Sequence, residues 1–201
     1  MTAKYQIEIN RDSQVHQGDV FHNVPYYEEY IEEHGQFTLN LLQFPYAIIL
    51  TQECDLMNNH QERLKKKTLS NGKFEHDKYL ISLLCAPLYN ADHLFEGSHL
   101  SEIGLKSEYK NSQNKSLIKT NRDPRYHYIE FDDSVTRLVP MVVDFKHYFS
   151  INLRYLEKAL DTRTCSIKPL YRELITQRFS NFLSRIGLPE PELNCEETPN
   201  N

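Results

Sequence analysis

The chain has 201 residues and a formal net charge of −5, and its hydrophobic share of 39% suffices for one domain with an apolar core. This composition excludes disorder over most of the length. No apolar run approaches the roughly 20 residues of a membrane-spanning helix, and the chain opens without an apolar signal segment. We therefore expect a cytoplasmic protein without membrane contact, with one domain over residues 1–188 and a flexible tail over 189–201.

The four cysteines indicate a reducing compartment. No two of them form a Cys-x-x-Cys pair, and a domain of this size needs no disulfide for its stability. Cys85 ends an apolar run and is expected to be buried, whereas Cys165 and Cys195 have polar neighbours and are expected to have no special role. No motif in the sequence indicates a cofactor, and no local spacing indicates a metal site.

The first 50 residues predict strands. Residues 5–9 alternate between apolar and polar side chains, as a half-buried strand does. Residues 26–33 and 37–42 flank His34-Gly35-Gln36, which predicts a hairpin with its turn at these three residues. Residues 45–51 are nearly all apolar and include β-branched side chains, which predicts a central strand that is buried on both faces.

The middle of the chain is polar and basic. Residues 58–78 and 106–124 contain few core-forming side chains and predict two long loops, with a buried strand over 79–86 between them. Residues 60–125 hold 12 basic and 8 acidic residues, a balance of +4. A basic region on an acidic body is typical of a contact with RNA or DNA, although such lysines also serve only to keep a loop solvated. The candidate contact residues are Lys65, Lys66, Lys67, Lys115, Lys119 and Arg122.

Strands are predicted again over residues 125–131 and 141–145, and two helices follow. The first helix is predicted over 152–160, and the second by apolar residues at helical spacing that stop before Gly187. The apolar residues of the second helix are Leu170, Leu174, Ile175, Phe179, Phe182, Leu183 and Ile186. These elements predict an α+β fold: a strongly bent antiparallel sheet or small barrel over about residues 4–150, closed by two C-terminal helices.

Polar and reactive residues follow the predicted central strand directly, in the order Thr51-Gln52-Glu53-Cys54-Asp55. A rigid strand end holds side chains firmly, which favours a functional site. Cys54 is a candidate nucleophile if a histidine activates it. The alternatives are a metal ligand beside Asp55, or a packed thiol with Asp55 capping the following turn.

The candidate partners of Cys54 lie far along the chain. His127 and His147 are each on or beside a predicted strand, and Asp144 is placed to orient one of them. The alternative is that each histidine is a hydrogen-bonded structural residue. The candidate catalytic set is therefore Cys54, Asp55, His127, Asp144 and His147.

Two resemblances to known families rest on these motifs. Gly18-Asp19-Val20-Phe21, followed by residues 45–51, resembles the opening of PemK/MazF-type toxin barrels and implies a small SH3-like barrel. Phe44 stands where that family has an arginine for RNA cleavage, so the resemblance implies the fold and not the activity. The chain also resembles an uncharacterised bacterial family in the motifs Thr-Gln-x-Cys-Asp-Leu (51–56), Arg-Tyr-x-Tyr (125–128), Val-Val-Asp-Phe (142–145) and Arg-Ile-Gly-Leu-Pro (185–189).

Three functions are expected from these observations. The first is a bacterial cytoplasmic protein that contacts RNA or DNA through the basic central residues, in a toxin or phage-defence setting. The second is a cysteine-dependent hydrolase or transferase that uses Cys54. The third is a non-enzymatic module that binds another protein.

Overall fold

In the computed structural model, helices lie against both faces of one sheet. The structure describes residues 4–68, 76–101, 104–132 and 137–185, without the side chains of residues 67 and 68. The strands are β1 (Ile7–Glu8), β2 (Asp19–Glu33), β3 (Gln36–Ile49), β4 (Ser82–Asn90), β5 (Tyr126–Ile129), β6 (Met141–Asp144), β7 (Phe149–Asn152) and β8 (Arg163–Ile167). The α-helices are α1 (Glu53–Thr68), α2 (Ala91–Glu96), α3 (Ser112–Lys119), α4 (Leu153–Lys158) and α5 (Pro169–Leu183).

All eight strands join one antiparallel sheet, so the predicted α+β class is confirmed. The order is β1-β8-β2-β3-β4-β6-β5, and β7 pairs with the first half of β4. In a flat sheet the two end strands of this path would lie roughly 29 Å apart. A single parallel bridge nevertheless joins Tyr5 to Phe131, next to the two edges. The sheet is therefore curled, but this one bridge is not a ladder and the sheet is not closed into a barrel.

The predicted hairpin is confirmed as the pairing of β2 with β3. Glu33 pairs with Gln36, so the loop consists of His34 and Gly35, with φ of 51° and 76°. Positive φ at both loop residues is the geometry of a type I′ turn, whose twist matches that of paired strands.

The predicted central strand is also confirmed. The last part of β3 pairs with β2 on one side and β4 on the other, and Ala47, Ile48 and Ile49 are all buried. Because neighbouring strand residues point to opposite faces, Ile48 and Ile49 enter two different cores. Helices α1 to α4 contribute to the core that holds Ile49, whereas α5 contributes to the core that holds Ile48.

The prediction of a loop over residues 58–78 was wrong over its first half, which belongs to helix α1. The buried face of α1 consists of Leu56, Asn59 and Glu62, which are 2% exposed each. Two of these three are polar, so no apolar period marks the helix. Asn59 is buried because its Oδ1 accepts hydrogen bonds from the backbone N–H of Leu80 and from Nε of Arg63.

Three further elements were missed, namely α3, β7 and β8. Helix α3 lies inside the predicted loop 106–124, where the Asn111 side chain caps its N-terminus and Ile118 is its buried residue. Strand β8 pairs with β1 and β2, and it buries Cys165, which the sequence had suggested was in a polar environment. The sequence did not predict β8 because the strand begins with Arg163, and a charged residue rarely begins a buried strand.

The last helix forms, but its buried stripe is narrower than predicted. Ile175 and Phe179 are buried, whereas Leu174 is 43% exposed and Leu170 is 79% exposed. Four predicted features lie outside the described residues: the end of the stripe at Ile186, the helix stop at Gly187, the domain boundary at 188 and the flexible tail. Within the described part of the chain, no helix is both long enough and apolar enough to cross a membrane.

Candidate functional site

Cys54 and Asp55 lie in the first turn of α1, just beyond β3. Cys54 is exposed, and its Sγ lies 3.6 Å from Oε1 of Gln52 and 3.9 Å from Oδ1 of Asp55. Both of these partners are hydrogen-bond acceptors. No histidine of the described ranges is hydrogen-bonded to the Cys54 sulfur, so the contact expected to activate this thiol is not among those observed.

Glu53, to which the sequence analysis assigned no role of its own, carries most of the contacts of this segment. Its Oε1 lies 2.7 Å from Nδ1 of His16, and its Oε2 accepts the backbone N–H of Gln17 at 2.9 Å. Oε2 also lies 3.2 Å from Nη1 of Arg172 on α5. Burial by itself would raise the pKa of Glu53, but the bonds from His16 and Gln17 outweigh it and lower the pKa. Glu53 therefore ties α1 and α5 to the segment before β2.

Asp19, a fully buried carboxylate, begins β2. Its Oδ1 accepts a hydrogen bond from the Ser166 hydroxyl, and its Oδ2 accepts one from Nη1 of Arg163 at 3.0 Å. The preceding Gly18 has φ of 83°, and a Cβ atom there would lie 2.8 Å from Cβ of Arg172. The Gly-Asp pair thus serves close packing and a buried ion pair, which are structural roles.

His127 is fully buried in the core beneath α5. Its Nε2 lies 2.7 Å from the hydroxyl of Tyr5, and Phe145 packs against its ring. Burial lowers the pKa of His127 to about 3, and the charge of Arg178 adds to the effect, so the ring is neutral at pH 7. This geometry fits the structural alternative for His127.

Asp144 and His147 do come together. Asp144 is fully buried at the end of β6, and Arg125 donates to it through Nε at 2.8 Å and through Nη2 at 2.6 Å. Nδ1 of His147 lies 3.2 Å from Oδ2 of Asp144 and 3.4 Å from the Tyr89 hydroxyl. Burial lowers the pKa of His147 even though Asp144 acts in the opposite direction.

Tyr89, which contacts His147, also lines a cavity of about 340 Å³. The His99 ring meets the Tyr89 ring edge-on at 4.8 Å and lines the same cavity. His99 is 6% exposed, and neither of its ring nitrogens has a hydrogen-bond partner among the described residues. Burial lowers the pKa of His99 to about 4. A neutral imidazole of this kind offers one donor and one acceptor.

A cleft of about 870 Å³ lies between α1, the 3-10 turn His76–Lys78 and α4. We call it the basic cleft. Six basic side chains line it: His60, Arg63, Lys66, His76, Arg154 and Lys158. Glu157 is the acidic residue among its lining residues, so four Lys and Arg side chains face one carboxylate. Lys66, Arg154 and Lys158 form no ion pair with any described residue.

Helical spacing explains how the cleft gathers these charges. Arg63 and Lys66 are three residues apart on α1, and Arg154 and Lys158 are four apart on α4, so each pair shares one helix face. The guanidinium of Arg63 donates to the carbonyl oxygen of Leu80 at 2.9 Å and lies 4.9 Å from the centre of the Tyr79 ring.

The six residues predicted to contact nucleic acid fall into two groups. Lys66 lines the basic cleft, Lys65 pairs with the buried Glu62 on the same helix, and the Lys67 side chain is outside the described set. The other group belongs to α3 and the turn after it, and none of its members lines the cleft. Lys115 and Lys119 lie over the Phe95 ring, Lys115 also lies over Tyr109, and Arg122 follows the helix.

The sequence analysis missed the five other basic residues of the cleft. His60, Arg63, His76, Arg154 and Lys158 were not singled out. The spacing of Arg154 and Lys158 on a predicted helix was the available signal, but nothing local indicates that α4 faces α1.

Over the described residues, no group of three or more His, Cys, Asp or Glu side chains is arranged to hold a metal ion. Comparison with known proteins gives no further assignment: no family model, no curated protein and no solved structure matches the chain.

Proposed function

We propose that this protein binds single-stranded nucleic acid in the basic cleft. The observation that carries the proposal is the excess of cationic side chains there: Arg63, Lys66, Arg154 and Lys158 against Glu157. The chain as a whole has a formal net charge of −5, so this cluster contrasts with the rest of the surface. Phosphate contacts by Lys and Arg supply most of the affinity of nucleic-acid binding that does not depend on sequence.

The choice of a single strand follows from the other side chains of the cleft. His76 and Tyr79 line it, with ring centres 5.2 Å apart, and Ile81 beside them is 82% exposed. Flat rings and exposed apolar side chains next to cations are typical of sites where unpaired bases stack. In a duplex the faces of the bases are stacked inside the helix, so they are not free to stack on these side chains.

Fluorescence anisotropy with a labelled oligonucleotide of about 12 nucleotides tests the proposal, since this length falls within the usual site sizes. We expect an RNA and a DNA single strand to bind more tightly than a duplex of the same length. The variant Lys66→Ala/Arg154→Ala should weaken binding about 10-fold or more, because two phosphate contacts are lost.

The matched control is Lys115→Ala/Lys119→Ala, which removes the same number of charges outside the cleft. Equal weakening by both variants would mean that the net charge, and not the cleft, determines binding. Absence of binding by the unmodified chain at low salt would contradict the proposal.

A cysteine-dependent hydrolase or transferase is the weaker alternative, because the described partners of the Cys54 sulfur are two acceptor oxygens and no base. Alkylation of Cys54 near pH 7 much faster than that of glutathione would favour it. The toxin or phage-defence setting stays a prediction from the sequence.

The SH3-like barrel is likewise our proposal for the finer class of the fold. What supports it is the bridge between Tyr5 and Phe131, with hydrogen bonds from Tyr5 N–H to Glu130 O at 2.7 Å and from Asp132 N–H to Tyr5 O at 2.9 Å. An experimental structure with a continuous ladder between these two edges would support the proposal, and two open edges would contradict it.

A further inference from the structure

The long hairpin projects beyond the rest of the sheet. β8 pairs with β2 only from Asp19 to Phe21, and β4 pairs with β3 only from Tyr46 to Ile49. Among the described residues, the strand pairs farther along are made between β2 and β3 alone, up to the turn at His34. We call residues 27–41 the distal hairpin. A two-stranded ribbon with no third layer is marginally stable in water by itself.

One face of the distal hairpin is apolar and exposed. The pairs Tyr27–Leu41 and Tyr30–Leu39 are on the same face, because the bulge after Tyr27 restores the alternation, and Phe37 continues that face. The Tyr30 and Phe37 rings stack at 5.4 Å. Glu32, the partner of Phe37, also lies on this face. The five apolar side chains of the face, which are between 53% and 60% exposed, are Tyr27, Tyr30, Phe37, Leu39 and Leu41.

The opposite face of the distal hairpin is mainly polar. Glu29 pairs with Asn40, whose side-chain N–H donates to the Glu29 carboxylate at 3.1 Å, and Glu33 pairs with Gln36. The ribbon is thus amphipathic, and no described element covers its apolar face. Scattered exposed apolar residues are ordinary, but a contiguous patch of large ones marks an interaction surface.

We propose that the apolar face of the distal hairpin docks in an apolar groove of a different protein, bordered by Lys and Arg. The negative charge of the distal hairpin is our reason for choosing a partner with a basic border. Glu28, Glu29, Glu32 and Glu33 lie on the distal hairpin, and the sequence has no Lys or Arg from Asp12 to Glu62.

A second copy of the chain is a poorer occupant of this face. Packing the apolar faces of two copies together would place the Glu32 carboxylates in the interface. It would also bring two ribbons side by side that each have four glutamates and no Lys or Arg, and like charges oppose association. A basic rim around the groove would instead pair with these carboxylates and raise the association rate. This surface is separate from the basic cleft and does not depend on the nucleic-acid proposal.

Site-specific photocrosslinking in the cells that encode the chain tests this inference. A benzophenone amino acid at position 37 reports on the apolar face, and the same group at position 38 reports on the opposite face as the matched control. We expect an adduct with one other protein from position 37 and little from position 38. Mass spectrometry should map the crosslink to an apolar surface of that protein that includes Lys or Arg.

Binding of the identified protein, once purified, should then depend on the aromatic side chains of this face and on the negative charge of the distal hairpin. Tyr30→Ser and Phe37→Ser should each weaken it about 10-fold or more, as is usual for buried aromatic anchors, and Thr38→Ala should change it little. Glu32→Lys should weaken binding at low salt and have less effect at high salt. Equal adducts from positions 37 and 38, no adduct from position 37, or an adduct with a second copy of the chain would each overturn the proposal.

Discussion

Nδ1 of His16 lies 2.7 Å from Oε1 of Glu53, and this contact links the segment before β2 to the first turn of α1. Nε2 of the same ring lies 2.8 Å from Oδ2 of Asp12, so the imidazole bridges two carboxylates. The hydrogen bond to Glu53 is the main reason that the pKa of His16 rises to about 9, against the opposing effect of burial. His16 is therefore protonated at pH 7.

The first prediction concerns the pH dependence of stability. Because the pKa of His16 is higher in the folded chain than its unfolded value of 6.5, its stabilising effect is complete below about pH 6.5 and is lost as the pH rises to about 9. His16→Asn should therefore lower the free energy of unfolding more at pH 6 than at about pH 9.5 in urea titrations. The control is His93→Asn, at an exposed position of α2. Equal destabilisation at both pH values would show that the charge of His16 is irrelevant.

The second prediction concerns Arg125 and Asp144. Arg125→Ala should cost about 3–5 kcal/mol in the free energy of unfolding, because it leaves a fully buried carboxylate without its two strongest donors. Arg125→Lys keeps the charge but not the paired geometry, and it should be intermediate. The comparison is made by urea denaturation at pH 7. A loss below about 1 kcal/mol for the alanine variant would mean that His147 and the backbone N–H of Lys146 are enough to stabilise the buried Asp144 carboxylate.

The third prediction compares two positions of α5. Phe179 is 3% exposed and contacts Phe145 and Tyr148, so Phe179→Ala should cost about 3–5 kcal/mol. Leu174→Ala should cost less than about 1 kcal/mol, since that side chain is 43% exposed. Both values come from denaturant titration. Similar losses at the two positions would contradict the observed orientation of the helix.

The fourth prediction concerns the hydroxyl of Tyr5. Tyr5→Phe removes the partner of Nε2 of His127, and Nδ1 of that ring already lacks one among the described residues. An unsatisfied buried group should cost about 1–3 kcal/mol in the free energy of unfolding. Tyr171→Phe is the matched control, because its ring packs against Tyr5 without a hydrogen bond from its hydroxyl to any described residue. No difference between the two variants would mean that the Tyr5–His127 bond contributes nothing.

The sequence predicts those parts of the fold whose determinants are local. His34-Gly35 between two alternating segments is enough to specify the hairpin, and the apolar run over residues 45–51 is enough to identify the central strand. Helix α1 was missed because Asn59 and Glu62 occupy its buried face. Polar residues become acceptable there only through partners such as Leu80, which lies 21 residues away.

The candidate site was less predictable than the fold. Arg163 is buried against Asp19, 144 residues away, and the basic side chains of the cleft come from three separate segments of the chain. Charge counting found the basic central region and Lys66 within it, but Arg154 and Lys158 come from a later segment. Such convergence depends on the sheet order, which no local pattern specifies.

The central claim is that Arg154 and Lys158 contact phosphates in the basic cleft, and the salt dependence of binding tests it most directly. The measurement is the slope of log K against log salt for a single-stranded oligonucleotide, determined for the unmodified chain and for Arg154→Ala/Lys158→Ala. Each phosphate contact with a single strand contributes about 0.7 to the magnitude of this slope, so the variant should lower it by about 1.4. The control Lys115→Ala/Lys119→Ala should leave the slope unchanged. A slope that Arg154→Ala/Lys158→Ala does not change, or one that falls only in the control, would contradict the account.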